Sequence, residues 1–326
     1  MIKEVYPKVY TFSVDLPESP LKQINAYVIK GNDKTVLVDT AFHHDLCQQQ
    51  LLAGLNELEV DMNHLEVILT HLHVDHTGLA DYFANLGCPI YASDVDGIII
   101  NKNILEPDYQ NFIDTCRHYG LDEHEMDWAQ SPNVLYRCKQ ALPLRPLNPG
   151  DTYQVDDFSF KVIDLIGHTP GHIGLYDKEK KLIFSGDTIL DPISPNICYW
   201  TDQTPDILGS YLNTLTRLKD LELDLAFAAH RQVIKAPKQR LDQLRLHHQE
   251  RLNEVLAAME PGRDYSVKDV ATQISWRIKA KGWQEFPPAQ KWFAAGETMA
   301  HLEHLASLSI LEMTEDQQVF YFRKIN

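Results

Sequence analysis

Residues 70–78 of this chain are Thr-His-Leu-His-Val-Asp-His-Thr-Gly, and they are the most informative stretch for the fold. The stretch follows an apolar segment typical of a strand and precedes a segment typical of a helix. Successive side chains of an extended chain point to opposite faces, so His71 and His73 share one face. Asp75 and His76 lie where the chain turns into the helix. Imidazoles and a carboxylate at this spacing suit a divalent ion such as zinc, so the stretch predicts a metal site.

Three further segments each place a potential ligand at the end of a predicted strand. They are GHTPGH at 167–172, SGDT at 185–188 and AAH at 228–230. Glycines beside His168, His172 and Asp187 allow tight turns and close approach of the backbone. Loops carried on a rigid scaffold commonly bear functional side chains, so we expect these residues to converge with the histidine cluster on one rim.

The rest of the chain up to about residue 258 alternates strands and helices in two halves. The predicted strands are 5–12, 25–30, 35–39, 66–70, 157–165, 174–177, 181–185 and 224–228, and the predicted helices are 44–58, 77–86, 205–221 and 236–259. This order favours two sheets packed together with helices outside. The mostly helical segment 94–128 is interpreted as an insertion over this scaffold, and its Tyr109, Phe112 and Tyr119 could form a lid.

The order and separations of these motifs resemble the metallo-beta-lactamase superfamily, over about residues 1–258. The resemblance implies an α/β fold, the αββα sandwich of that superfamily. It also implies a ligand set: His71, His73 and His168 for one metal ion, Asp75, His76 and His230 for a second, and Asp187 bridging both. One position departs from the family, because Ala229 and Arg231 flank His230 where glycine is usual.

The segments 186–190 and 194–197 are similar to a bacterial subgroup of these hydrolases whose members carry a C-terminal winged-helix-like domain. This chain shows a matching pattern after a break at Pro261-Gly262-Arg263. A helical stretch at 267–274, a helix at 288–308 and strands at 310–312 and 319–323 are typical of such a module. We therefore predict a hydrolase domain at 1–258 and a small α+β winged-helix-like domain at 259–326.

A pair of divalent metal ions predicts hydrolytic chemistry. Water bound to a metal ion loses its proton near neutral pH and becomes a strong nucleophile that attacks a carbonyl or phosphoryl centre. Asp75 is the candidate catalytic residue, placed to orient this nucleophile and accept a proton. No GxSxG nucleophile motif occurs in the chain. Zinc is the expected ion, although iron or manganese could use the same ligands.

Other residues are candidates to support or line the site. Asp39, at the end of a predicted strand, could fix the tautomer of a ligand imidazole, or it could simply end the strand. His172 repeats the spacing of a ligand and could line the site. Tyr199 and Trp200 follow the Asp187 loop and could wall a pocket, but they fit equally well as core or interface aromatics.

The composition limits the compartment and the partners. The formal net charge is -16, which disfavours nucleic acid because phosphate recognition depends on clustered Lys and Arg.

The five cysteines are widely spaced without a CxxC pair, which argues for a reducing, cytoplasmic compartment. No apolar run approaches the ~18 residues of a membrane helix. The N-terminal segment does not have the pattern of a signal peptide. A homodimer is left open.

Three functions fit these observations. The favoured one is hydrolysis of a small-molecule ester, thioester or lactone. The alternative is a metal-dependent nuclease, which would need one basic face built from Arg263, Lys268, Arg277, Lys279, Lys281 and Lys291. The third is a non-catalytic metal-binding interaction protein, which a complete ligand set argues against.

Overall fold

The structure, a computed structural model, describes residues 1–122, 126–200 and 204–325. The chain divides into two units, named here the sandwich unit and the second unit. The sandwich unit comprises Met1–Pro107, Pro132–Pro195 and Thr216–Leu241. The second unit comprises Asp108–Ser131, Asn196–Leu215 and Asp242–Asn326. This division does not follow the predicted boundary between residues 258 and 259.

The strands and helices follow one another along both units. The strands are β1 (Lys3–Tyr6), β2 (Val9–Asp15), β3 (Gln23–Lys30), β4 (Thr35–Val38), β5 (Leu65–Ile68), β6 (Ile90–Ala92), β7 (Leu144–Pro146), β8 (Thr152–Val155), β9 (Phe158–Asp164), β10 (Ile173–Asp177), β11 (Leu182–Gly186), β12 (Leu225–Ala228), β13 (Tyr265–Ser266), β14 (Leu311–Asp316) and β15 (Val319–Lys324). The helices are α1 (Asp45–Glu57), α2 (Val74–Thr77), α3 (Ala80–Asn85), α4 (Asp94–Leu105), α5 (Tyr109–His118), α6 (Pro132–Leu135), α7 (Ile207–Asp220), α8 (Pro237–Ala257), α9 (Val267–Ala271) and α10 (Pro288–Ser307).

Two sheets of mixed strand direction form the body of the sandwich unit. The first contains seven strands in the order β1-β2-β3-β4-β5-β6-β7, and the second contains five in the order β12-β11-β10-β9-β8. The pairs from β1 to β4 are antiparallel and those from β4 to β7 are parallel. In the second sheet only β11 and β12 pair in parallel. This confirms the prediction of an α/β sandwich built on two sheets.

The core lies between these sheets, because the strands present apolar side chains at alternate positions. In β9, Phe158, Phe160 and Val162 are buried while the residues between them are exposed. Every residue of β10 and β11 is buried, which is typical of strands covered on both faces. Tyr27 of β3 ties the two sheets together, since its hydroxyl donates to the carbonyl oxygen of Ala228 at 2.8 Å.

The strand directions bring several strand ends to one rim. β4 and β5 run in parallel, so their carboxyl ends lie side by side. β9, β11 and β12 share one direction, because β10 is antiparallel to both β9 and β11. The two sheets are joined at these strand ends, where the Ile173 amide donates to the carbonyl oxygen of Thr70 at 2.9 Å. Functional side chains that follow these strands therefore meet at one edge.

The predicted insertion at 94–128 is helical, but it is not a single added flap. α4 belongs to the sandwich unit and α5 to the second unit, and residues 123–125 lie outside the described part of the chain. Phe112 of α5 and Tyr119 are buried within the second unit, where both rings pack against Trp292 of α10. This packing is why the second unit begins well before the predicted boundary.

The C-terminal part of the second unit contains the predicted sequence of helix, helix and hairpin. α9 and α10 are followed by β14 and β15, and these pair with β13 in the order β13-β15-β14. α9 begins with a complete capping box, in which Ser266 and Asp269 exchange side-chain-to-backbone hydrogen bonds. The prediction missed β13, which at two residues is too short to produce a strand pattern.

Among the described residues, helices long and apolar enough to cross a bilayer are absent.

Gly54 provides a test of how closely α1 packs on the first sheet. A Cβ atom at Gly54 would lie 2.3 Å from the ring of Phe12, which is buried. We expect Gly54→Ala to lower the free energy of unfolding by about 1–3 kcal/mol through overpacking, as measured by denaturant titration. Gly97→Ala is the control, since Gly97 also lies inside a helix but its Cβ would come no closer than 3.1 Å to a Leu144 methyl group and 3.9 Å to the Ala92 Cβ. Equal stability of the two variants would contradict this account.

Candidate metal centre

The rim of the sandwich unit gathers all the predicted ligands. His71 and His73 follow β5, and Asp75 and His76 lie on the short helix α2. The other three side chains each follow a strand: His168 after β9, Asp187 after β11 and His230 after β12. Potential ligand atoms of these residues fall into three overlapping groups within 4.8 Å: His71, His73 and His168; His71, His76 and Asp187; and Asp75, His76 and His230.

The first group consists of imidazole nitrogens that face one another. His71 Nε2 lies 3.0 Å from His73 Nδ1, and His73 Nδ1 lies 2.9 Å from His168 Nε2. Nitrogens around a common zinc ion at 2.0–2.1 Å would be separated by about 3.3 Å in a tetrahedral site. The spacing of this group is therefore close to that of ligands around one metal ion.

The group of Asp75, His76 and His230, called the second group from here on, combines histidines with a carboxylate. His230 Nε2 lies 3.3 Å from Asp75 Oδ2, and His76 Nε2 lies 3.9 Å from the same oxygen. Asp187 faces both groups, because its Oδ1 is 3.5 Å from His230 Nε2 while its Oδ2 is 3.5 Å from His168 Nε2. This is the position that a bridging carboxylate requires.

Asp39 orients two of the histidines, directly and through a relay. Its Oδ2 accepts a hydrogen bond from His76 Nδ1 at 2.8 Å and another from the Thr70 hydroxyl at 2.8 Å. Because that hydroxyl proton goes to Asp39, Thr70 Oγ1 must accept from His71 Nδ1, which lies 3.1 Å away. Both rings thus direct Nε2 toward the candidate metal positions. The Thr70 relay was missed in the sequence, although Thr70 directly precedes His71.

His230 is oriented by the backbone of the first sheet. Its Nδ1 donates to the carbonyl oxygen of Gln23 at 2.8 Å, which leaves Nε2 facing Asp75 and Asp187. Arg231 has φ 69°, in the left-handed region that favours glycine. This explains the glycine that the family usually has here. The exposed Arg231 side chain reaches the carbonyl oxygen of Pro20 at 3.4 Å, so it does not enter the ligand cluster.

His172 contacts His71 and the turn that carries Asp187, although it belongs to none of the three ligand groups. Its ring stacks on that of His71, with centroids 4.7 Å apart and planes 12° apart. Its Nε2 accepts a hydrogen bond from the Asp187 amide at 3.1 Å, which fixes the turn that carries this carboxylate. A Cβ on Gly186 would lie 2.6 Å from the His172 ring, so glycine is required there for this close approach.

The two groups differ in charge. Burial and neighbouring histidines hold the pKa of His71 well below its usual value, and they lower the pKa of His73 to about 3. Burial alone would also lower the pKa of His76, but Asp39, Asp75 and Asp187 raise it well above 6.5. Burial alone would raise the pKa of Asp75, but His76 and His230 lower it to about 2. The site therefore presents neutral imidazoles on one side and ionised carboxylates on the other.

The donor set fits a pair of divalent ions. His76 Nε2, Asp187 Oδ1 and His230 Nε2 are buried and have no hydrogen-bond partner within the described residues. Buried polar atoms without partners are costly, and coordination to a cation would satisfy all three. Imidazole and carboxylate donors suit zinc, iron and manganese alike, so the donors favour a divalent ion without selecting one.

Other predicted residues lie outside this cluster. Tyr199 and Trp200 belong to the second unit, where the Tyr199 ring contacts those of Tyr119 and Phe320. Their role as pocket walls stays a prediction. Lys291 is buried, so the six basic residues that the nuclease alternative required do not together form an exposed face.

Comparison with known proteins agrees with this geometry. Residues 20–230 match the family described as the metallo-beta-lactamase superfamily. Among curated proteins, an acyl-coenzyme A thioesterase of Bos taurus is 30% identical over 104 residues, covering 31% of this chain and 36% of that protein. The hydroxyacylglutathione hydrolase GloC of Haemophilus influenzae is 47% identical over 49 residues, covering 15% and 23%. The matches to the first curated relatives span 41% to 61% of their length.

Solved structures extend the likeness over the whole chain. A metallo-beta-lactamase family protein of Thermus thermophilus has a TM-score of 0.82 and 26% identity, and the alignment covers 99% of this chain and 100% of that one. A beta-lactamase domain protein of Burkholderia ambifaria has a TM-score of 0.80 and 23% identity, covering 99% and 94%. The second of these shows the fold alone.

The Asp39 network predicts a specific defect in Asp39→Asn. With its amide nitrogen at the Oδ1 position, the asparagine would face the Thr70 N–H and lose that hydrogen bond. With the nitrogen at the Oδ2 position it would face both donors there, and a neutral, metal-binding His76 would have to move its proton to Nε2. Nε2 could then no longer bind a metal ion, and we expect metal affinity to fall about 10- to 100-fold in a chelator competition assay.

Asp81→Asn is the matched control for Asp39→Asn. Asp81 is also buried in the sandwich unit and also accepts a backbone hydrogen bond, from Lys139 at 2.7 Å, but it does not contact the ligands. A wild-type metal affinity in Asp39→Asn, or an equal loss in both variants, would refute the orienting role of Asp39.

Proposed function

Since the chain belongs to the metallo-beta-lactamase superfamily, we propose that it is a hydrolase that uses two divalent metal ions to cleave a small acyl thioester, ester or lactone. The observation that carries this proposal is the convergence of seven side chains on one rim, with Asp187 facing both groups. A scaffold without catalysis would not need two complete and adjoining groups.

The proposed ligand set follows the contacts. His71, His73 and His168 would hold one ion, Asp75, His76 and His230 a second, and Asp187 would bridge them. Zinc is the proposed ion. When bound, such a pair supplies Lewis acidity to the substrate oxygen and lowers the pKa of water so that it attacks at neutral pH.

Asp75 is the proposed catalytic residue among the ligands. Its side chain keeps 12% of its surface exposed, whereas those of His76 and His230 are fully buried, so it is the more accessible member of its group. With its pKa lowered to about 2, the carboxylate is ionised at neutral pH and can accept a hydrogen bond from the attacking water. Its role is therefore to orient the nucleophile toward the carbonyl carbon.

A thioester is the first substrate class to test. A thioesterase is among the relatives, although it aligns with less than a third of this chain. The net charge of -16 disfavours polyanionic substrates such as RNA, which supports a small molecule.

The second unit has no assigned chemistry in this proposal. We propose that its α9, α10 and β14–β15 hairpin form a winged-helix-like module, supported by their order along the chain. We also propose a reducing, cytoplasmic compartment, since no disulfide joins the five cysteines within the described residues.

The ligand assignment predicts the effect of His168→Ala. Removing one of the three histidine ligands should empty the first group, so we expect about one metal ion fewer per chain by elemental analysis. His64→Ala is the matched control, because His64 is an exposed histidine that pairs only with Asp61 among the described residues. Two retained ions in His168→Ala would show that this histidine is not a ligand.

Catalysis is tested by a panel of acyl thioesters, aryl esters, lactones and short RNA on metal-loaded protein. We expect thioester cleavage that a chelator abolishes and that Asp75→Asn lowers by about 10²- to 10⁴-fold in kcat. Asp61→Asn, an exposed aspartate away from the rim, should keep full activity. Cleavage of RNA alone would replace this proposal with the nuclease, and metal binding without any hydrolysis would favour the interaction protein.

A further inference from the structure

Asp96 is a buried carboxylate that contacts both loops of the first ligand group. It lies in the first turn of α4 and is 1% exposed. Its Oδ2 accepts hydrogen bonds from the Leu72 amide at 3.0 Å and from the Thr169 hydroxyl at 2.6 Å. Its Oδ1 accepts a hydrogen bond from the Gly171 amide at 2.7 Å. One side chain thus receives three donors from two separate loops.

The positions of these donors relate Asp96 to the ligands. Leu72 lies between His71 and His73, so its amide belongs to the short segment that carries two of the imidazoles. Thr169 directly follows His168, and Gly171 directly precedes His172. Asp96 therefore joins the loop after β5 to the loop after β9, and these two loops supply the whole of the first group.

The start of α4 is built to hold this arrangement. Ser93 caps the helix by accepting from the Asp96 amide at 3.2 Å, and its hydroxyl donates to the Gly171 carbonyl oxygen at 2.6 Å. A Cβ on Gly171 would lie 2.5 Å from Asp96 N and 2.7 Å from Asp96 Oδ1. Only glycine allows the loop after β9 to approach so closely.

We infer that Asp96 is a positioning residue that fixes the separation between His71 and His73 on one loop and His168 on the other. This inference rests on the proposed function, because it assigns to Asp96 the geometry of the first metal group. Asp96 does not touch a ligand side chain, so it acts through the backbone of both loops.

Asparagine cannot replace this carboxylate. With its nitrogen at the Oδ2 position it would face the Leu72 N–H, and with its nitrogen at the Oδ1 position it would face the Gly171 N–H. A backbone amide cannot reverse its hydrogen bond, so one of the two loops loses its acceptor in either orientation. The Thr169 hydroxyl can rotate and adapt.

The experiment measures metal binding to the full chain of Asp96→Asn. Cobalt(II) is titrated while its visible absorption is recorded, and zinc affinity is measured by competition with a chromophoric chelator. We expect the affinity for one of the two metal ions to fall by about 10- to 100-fold. The cobalt spectrum should change, and kcat/KM should fall in parallel for any thioester that the wild type cleaves.

Asp177→Asn is the matched control. Asp177 is likewise buried in the sandwich unit and likewise accepts two backbone amides, from Ser159 at 3.0 Å and Lys180 at 2.9 Å, but it contacts neither loop. It should lower the melting temperature without changing metal affinity or the cobalt spectrum. Thr169→Val removes only the side-chain donor to Asp96 and should lower the metal affinity a few-fold. This variant tests the role of Asp96 if Asp96→Asn fails to fold.

The outcomes separate this inference from the proposed function. A wild-type protein that binds two metal ions and cleaves nothing speaks against the proposed function alone, whereas one that binds no metal ion overturns both. Wild-type affinity and spectrum in a folded Asp96→Asn would overturn the inference, as would equal losses in Asp96→Asn and Asp177→Asn. If only Thr169→Val can be tested, unchanged metal binding in that variant would overturn it.

Discussion

Imidazole nitrogens of His71, His73 and His168, held 2.9 and 3.0 Å apart, form the contact on which the rest of the sandwich unit depends. A cation lying among these nitrogens could accept a lone pair from each of them, and burial raises the cost of protonating them. The fold must therefore hold the rings in place against their own preference for water. It does so with backbone contacts and buried carboxylates.

The two-sheet architecture makes this possible because it gives each ligand loop a rigid strand on at least one side. Parallel pairing of β4 with β5 places Asp39 beside the segment that carries His71 and His76. Parallel pairing of β11 with β12 does the same for Asp187 and His230. Ligands from distant parts of the chain thus depend on strand register, which the core between the sheets fixes.

The sequence contained more information about the ligands than about what holds them. The spacing in residues 70–78 predicted a metal site, because ligand types and short spacings are local properties. The assignment of His168, Asp187 and His230 as ligands came from the family resemblance, and their strand-end positions favoured the same rim. Asp39 was predicted from its place at a strand end. Thr70 and Asp96 were not, since a threonine hydroxyl and a helix-capping aspartate have many ordinary uses. Their roles depend on loops that meet only after folding. The Ser93-x-x-Asp96 capping pattern was the one local signal available.

The same reasoning explains why the two compact units do not follow the boundary predicted between residues 258 and 259. Helical periodicity shows that a segment forms a helix, but it does not show which core accepts its apolar face. α4 and α5 follow one another closely, yet Gly97 of α4 lies against Leu144 of the sandwich unit while Phe112 of α5 stacks on Trp292 of the second unit. Only the partners distinguish the two helices, and those partners are distant in sequence.

Arg231 shows how far the support of a ligand can override local preference. A non-glycine residue in the left-handed region costs roughly 1–2 kcal/mol, and this chain accepts that cost immediately after His230. Asn25 of β3 holds the segment. Its side-chain amide donates to the carbonyl oxygens of Ala228 and Arg231, and its backbone amide donates to the carbonyl oxygen of Ala229. The loop is therefore fixed by the first sheet on both sides of the ligand. The backbone of residues 228–231 is thus held where it places the His230 ring, and the left-handed conformation at position 231 is part of that arrangement.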